Sequence, residues 1–282
     1  MFNQVALVSQ TDKVSFRDLG LVSAAIQKQV TRDLGPIWNV DATVDAFETL
    51  PDVPVGYWPV IVRDDIPFDA GGIHLNRANG QPFALVRFSD EWSVTTSHET
   101  LEMLVDPSGN RTVASNSPKP DQGRVLIVVE VCDPSEASEF GYSVNGIQVS
   151  DFYTPRFFDP LPAAGARYSF SGALTAPRQV RDGGYISWWD PISKRVFQQF
   201  VDAGASDFVD RGEVPAGFGT LRSFADRFTN ERRMRVTDNV RDGLMLTGTI
   251  RGLKKKDTRL DESTRAAAEG LSDQIAEIVR PK

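Results

Sequence analysis

Val94-Thr95-Thr96-Ser97-His98-Glu99-Thr100-Leu101-Glu102-Met103-Leu104-Val105-Asp106-Pro107 is the stretch whose reading decides this chain. Residues of an α-helix advance by about 100° each, so His98, Glu99 and Glu102 fall within one arc of roughly 100°. Val94, Leu101, Leu104 and Val105 occupy the adjoining arc and predict a face turned to a core. Ser93 or Thr95 is placed to cap the start, and Asp106-Pro107-Ser108-Gly109 to end the helix. The pattern predicts a half-buried helix that aims one imidazole and two carboxylates at the same region. Two ligands one turn apart, with a further acid able to act on bound water, are what a mononuclear metal site needs. The same spacing also suits a solvated face on which His98 and Glu102 make an i, i+4 pair.

Outward from this helix the chain alternates strands and helices. Val5-Ala6-Leu7-Val8 predicts a buried strand. Residues 16–30, extending to 34, predict a helix with Leu19, Val22, Ile26 and Val30 at helical spacing, capped by Thr11, Asp12 or Ser15 and ended by Gly35-Pro36. Residues 38–50, 56–63 and 83–88 read as strands, and 64–72 as a loop. The implied fold class is α+β, a mixed sheet beneath an N-terminal helix and the His98 helix. Downstream, residues 111–123 read as a surface loop and 125–131 as a buried strand. Hairpins are expected at 142–152, around Asn145-Gly146, and at 185–200, turning at Asp190-Pro191, with loop wrapped on the sheet at 155–177. Residues 1–229 form the expected body. Residues 230–282 form an extension with a strand at 244–250 and an amphipathic helix at 261–279, suited to a protein partner or to self-association.

At 282 residues, with 40% hydrophobic and 24% charged residues, the chain has the makings of a sizeable core. A formal charge of −7 and a pI near 5.0 argue against a nucleic-acid partner. Cys132 is the single cysteine, which excludes an internal disulfide and fits a reducing compartment. No leader-like or membrane-spanning run of about 20 apolar residues is present. The expectation is a cytoplasmic protein without membrane contact.

His98-Glu99-x-x-Glu102 is a relative of the helical H-E-x-x-H zinc motif. A third ligand has to come from elsewhere: Glu130 is the first candidate, with Asp133 and Asp106 as alternatives. A carboxylate at the end of so apolar a run is costly to bury unpaired, so Glu130 calls for a metal or an arginine. Cys132 would share its face if the strand continues, as a zinc ligand or as a small hydrophobe. Tyr142 and Tyr153 are candidates for a hydroxyl at an oxyanion, or for sheet packing. His74, in Gly71-Gly72-Ile73-His74-Leu75, reads as a surface or packing histidine.

The runs S-H-E-T-L-E-M-L-V-D-P (97–107), E-V-C-D-P (130–134) and N-G-I-Q-V-S-D-F-Y-T-P-R-F-F-D-P (145–160) resemble a family of zincin-like, metallopeptidase-type proteins of bacteria and their viruses, over about residues 1–200. The resemblance implies a zincin-like fold with His98 and Glu102 as metal ligands, Glu99 as general base and Glu130 completing the site. It also implies that His74 lies near the metal, on the strand edging the cleft, and that the substrate is a peptide or protein. Glu102 stands where typical zincins carry a second histidine. That harder, more negative ligand set suits Zn2+ and also Mn2+ or Fe2+, and weakens the ion as a Lewis acid. Two readings follow: a zinc-dependent hydrolase of peptidase type, or a catalytically inactive zincin-like scaffold serving as a structural or protein-binding module.

Overall fold

The structure, a computed structural model, describes residues 2–68, 70–77 and 79–227; the expected extension, its strand and its helix lie outside these residues. In β1 (Asn3–Ser9), Val5 and Leu7 enter one core while Ala6 and Val8 enter another, and all four are fully buried. An unbroken apolar run is what a strand inside a parallel sheet requires, because both of its faces are covered. β2 (Ala42–Phe47) and β3 (Trp58–Arg63) flank it in parallel. β4 (Gly72–Asn76) pairs antiparallel with β5 (Pro82–Arg87), and β5 joins β3 in parallel. The resulting five-stranded mixed sheet has the order β2-β1-β3-β5-β4.

Two helices cover one face of this sheet. α1 (Phe16–Lys28) is capped by Ser15, whose Oγ accepts the Asp18 backbone N–H at 3.1 Å. It runs through a π-helical turn at Gln29–Leu34 into α2 (Gly35–Trp38). Gly35-Pro36 therefore does not end the helical run as expected. Pro36 sits in the first turn of α2, where a missing N–H is tolerated, and the chain leaves at Asn39 with φ 55°. α3 (Trp92–Val105) carries the His98 motif. Its start has no side-chain cap; Ser93 Oγ instead donates to the Gln148 carbonyl at 2.9 Å. Leu19, Val22 and Ile26 of α1 and Leu101 and Leu104 of α3 share one core with Val5, Val60, Ala84 and Val86. Leu50, Val53 and Ile66, from connecting loops, cover the opposite face.

The second half of the chain is antiparallel. β6 (Thr112–Asn116), within the stretch expected as loop, pairs with β7 (Arg124–Val128). β8 (Tyr142–Val144) and β9 (Ile147–Val149) form the hairpin turning at Asn145 and Gly146, both at positive φ as a two-residue turn of this type requires. β10 (Tyr185–Asp190), β11 (Arg195–Asp202) and β12 (Ala205–Glu213) complete a five-stranded sheet of order β12-β11-β10-β7-β6. The strand expected to reach residue 131 stops at Val128. Val129 N–H still bonds in register, to the Arg111 carbonyl at 3.0 Å, and the chain then turns away, with Cys132 N–H donating to Glu102 Oε1 at 2.9 Å. Glu130 and Cys132 therefore do not share a strand face. No helix of the described residues is long and apolar enough to cross a membrane.

A buried polar network holds α3 from behind. Ser97 Oγ donates to Gln29 Oε1 at 2.7 Å and accepts the Ser150 N–H at 3.1 Å, while Gln29 Nε2 donates to the Ser150 carbonyl at 2.9 Å. Gln29 and Ser97 are fully buried, and Gln29 opens the π-helical turn. Ser97→Ala would leave Gln29 Oε1 and Ser150 N–H without that partner, so it should lower unfolding free energy by about 1–3 kcal/mol. Urea unfolding checks this; an unchanged midpoint would show that the network does not secure the helix.

Candidate metal centre

Four segments converge on one side of α3. His74 pairs with Ala84 across the β4–β5 ladder; Ile73 enters the far core, so His74 points to the helix layer by strand alternation. α3 brings His98, Glu99 and Glu102. The bend after β7 brings Glu130 and Asp133, and the helical residues 221–227 bring Arg222 and Asp226. Gly72 permits the closest of these approaches. A Cβ there would lie 2.5 Å from Glu99 Oε1 and 2.8 Å from Thr95 Cγ2. The convergence leaves a cavity of about 120 Å³, open on one side, lined among others by His74, His98, Glu99, Glu102, Glu130 and Asp133.

His98 Nε2 lies 3.2 Å from Glu102 Oε2 and 3.3 Å from Asp133 Oδ1. His74 Nδ1 lies 3.2 Å from Glu99 Oε2 and 3.8 Å from Glu102 Oε2, and its Nε2 lies 3.9 Å from Glu130 Oε2. Glu102 is thus the carboxylate between two imidazoles. The ligand-type atoms form two groups, His98 with Glu102 and Asp133, and His74 with Glu102 and Glu130. The partner that joins His98 and Glu102 is therefore Asp133, while Glu130, the sequence's first candidate, falls with His74. Arg222, itself buried, stands 4.0 Å from Glu130 Oε1 through Nε and donates from Nη2 to the His74 carbonyl at 2.8 Å.

Crowding so many acids out of water separates their proton affinities. Burial and the charge of Glu102 push Asp133 up to about 8, and burial with the neighbouring acids pushes Glu99 up to about 8 against the pull of His98. Burial and Glu102 likewise raise Glu130 well above the usual range. Burial also works against the charge of Glu102, but His98 prevails and holds it down to about 2. In return Glu102, with Asp133, raises His98 well above its ordinary value in spite of burial. Burial and Arg222 drive His74 the other way, towards the neutral form. Without a cation, the ionised Glu102 beside a charged His98 is the stable pair.

The other candidates lie elsewhere. Asp106 accepts the N–H groups of Asn110 at 3.2 Å and Arg111 at 2.9 Å, shaping the exit of α3 rather than facing the cavity. Tyr142 donates its hydroxyl to Asp33 at 2.9 Å, behind α1. Tyr153 is the exception: its ring stacks on Phe157 in the core with centroids 4.2 Å apart, but its buried hydroxyl has no hydrogen-bond partner, and burial and the charge of Glu130 push it up. Cys132 packs its Sγ 3.9 Å from the His98 carbonyl, a small buried hydrophobe whose thiol burial pushes up. His74 is not at the surface: it is buried against Glu99 and lines the cavity. Its signal is Gly71-Gly72 before a histidine in a strand, the mark of a close backbone approach. Arg222 and Asp226 have no comparable signal, because they follow a polar stretch with weak periodicity.

Gly72→Ala must displace the Glu99 side chain or separate β4 from α3, with a loss of about 1–3 kcal/mol from overpacking; denaturant unfolding reads this, and full stability would contradict the packing. Glu99 and Asp133 bind protons more tightly folded than unfolded, where their values are 4.5 and 3.8, so the stability they give is complete below those values and is lost as pH rises to about 8. The raised His98 acts in the same direction. In the presence of a chelator the melting temperature should therefore fall between about pH 5 and pH 8.5, and an added divalent ion should stabilise most at the upper end. A midpoint that rises over this range without metal would refute the assignment. Comparisons of the chain with protein-family models, with curated proteins and with solved structures returned no match, so the case for any chemistry rests on these side chains.

Proposed function

We propose that the chain is a metal-dependent hydrolase of peptidase type on a zincin-like scaffold, with His98, Glu102 and Asp133 as the ligands of one divalent ion. The observation that carries this reading is the His98 Nε2, Glu102 Oε2 and Asp133 Oδ1 group, spaced 3.2 and 3.3 Å about the imidazole at the wall of a buried cleft. Ligands about 2.0–2.2 Å from a tetrahedral ion stand about 3.3–3.6 Å apart, close to the two spacings from His98, and all three ligand atoms lie within 4.8 Å of one another. One imidazole and two carboxylates suit Zn2+, and Mn2+ or Fe2+ as well. The edge position of β4, antiparallel to its neighbour, supports a peptide as substrate, since an extended chain can add to such an edge.

A bound divalent ion supplies Lewis-acid activation of water. Glu99 is the general base: it takes the proton and passes it to the leaving amine. A bound cation beside it would favour its ionised, proton-accepting form. His74 Nδ1, 3.2 Å from Glu99 Oε2, orients that carboxyl group, and the bare backbone of Gly72 leaves room for it.

A second reading, an inactive scaffold that binds protein, is favoured by the internal pairs His98–Glu102 and Arg222–Glu130, which offset part of the buried charge without any ion. Glu99→Gln separates the two. In the hydrolase it should lower kcat on peptide substrates by about 10²- to 10⁴-fold with metal content unchanged. A variant that cleaves as fast as the parent removes Glu99 from its role. Parent protein that takes up no added Zn2+ or Mn2+ speaks for the scaffold.

A further inference from the structure

We propose that the cleft holds two divalent cations: His74 and Glu130 take the second, and Glu102 is shared between them. The proposal rests on the reading of His98, Glu102 and Asp133 as ligands of the first. His74 is 4% exposed, and its Nε2 has no hydrogen-bond partner; Glu130 is 8% exposed, and its Oε1 has none either. Buried polar atoms of this kind are ordinarily satisfied; Glu130 Oε1 is turned to Arg222, so it is His74 Nε2, on a residue that lines the cavity, that points to something that binds there. The first ion leaves it unsatisfied.

The two imidazole nitrogens are already distinguished. Nδ1 lies 3.2 Å from Glu99 Oε2, and with the proton on Nδ1 the Nε2 lone pair is free for an ion. A ligating histidine commonly gives its other N–H to a carboxylate, which fixes ring and tautomer. At 3.9 Å, Glu130 Oε2 is too far from Nε2 for a hydrogen bond. It is a few tenths of an ångström beyond the roughly 3.3–3.6 Å between two ligands of one tetrahedral ion, a gap that a small side-chain shift closes. Arg222 is on the other side of that carboxyl group, 4.0 Å from Oε1, and its Nη2 is held by the His74 carbonyl at 2.8 Å. It therefore orients both second-ion ligands through the backbone of one and the far oxygen of the other.

Glu102 is the residue common to both ligand groups. Its Oε1 is occupied by the Cys132 N–H at 2.9 Å, while Oε2 lies 3.2 Å from His98 Nε2 and 3.8 Å from the Nδ1 side of the His74 ring, and one ligand atom each of His74, Glu102 and Glu130 lie within 4.8 Å of one another. A shared carboxylate is how paired-ion hydrolases keep their ions about 3.5–4 Å apart. A glutamate at this position, which weakens a one-ion site, is what a two-ion site requires. The ligand set is nitrogen and oxygen only, the choice for Zn2+ or Mn2+.

The test uses the full chain, stripped with chelator and titrated with Mn2+, with bound metal measured after dialysis and by electron paramagnetic resonance. Two ions per chain with an exchange-coupled spectrum are expected. His74→Gln and Glu130→Gln should each reduce this to one uncoupled ion while circular dichroism stays that of the parent. One ion in the parent, unchanged by either substitution, overturns the second site and leaves the one-ion reading intact. Two ions without coupling overturn the sharing of Glu102. No bound ion overturns both readings. The parent stoichiometry is decisive even if a variant does not fold.

Discussion

Burying the carboxylate of Glu102 is the constraint to which the rest of the structure answers. One of its oxygens takes the Cys132 N–H and with it the backbone that β7 would otherwise have continued as strand. The other faces His98 and His74, so a residue of α3 ties together the bend after β7 and the edge strand β4. A lone carboxylate so far from water would be strongly unfavourable, and its partners are correspondingly close. The course of the chain from Val128 to Asp133 is best understood as the path that supplies them.

α3 is polar on two sides, which is why it can be placed so accurately. His98, Glu99 and Glu102 face the cavity, while Ser97 on another side is bound to Gln29 and Ser150. The π-helical turn begins at Gln29. An extra residue in a helical turn re-aims the side chains after it, and such turns are found where function demands it. Between the two polar sides, Leu101 and Leu104 anchor the helix in the core. Hydrophobic contact fixes its distance from the sheet, and hydrogen bonds fix its rotation.

Much of the first sheet was legible because periodicity reports burial. The runs around Val5, Val60 and Ala84 have the composition of strands covered on both faces, and α1 has a clear stripe, whereas α3, expected half-buried, is buried at every position from Glu99 to Val105. The motif at His98 was legible through its helical spacing. What was not legible depended on partners distant in the chain. The sequence favours Glu130 over Asp133 as the partner of His98, and only the bend after the β7 strand sets Asp133 beside His98 and Glu130 beside His74. β6 reads as loop because Thr112–Asn116 is polar and only its pairing with β7 makes it a strand. Arg222 reaches the site across an interval of 148 residues from His74, a distance over which local pattern carries no information.

The size of the cavity has a consequence for selectivity. About 120 Å³ is the space of about four waters in the liquid. A recess of that size, lined among others by His74, His98, Glu99, Glu102, Glu130 and Asp133, favours a small polar occupant over a bulky apolar one, and anything larger must meet the surfaces that flank its mouth.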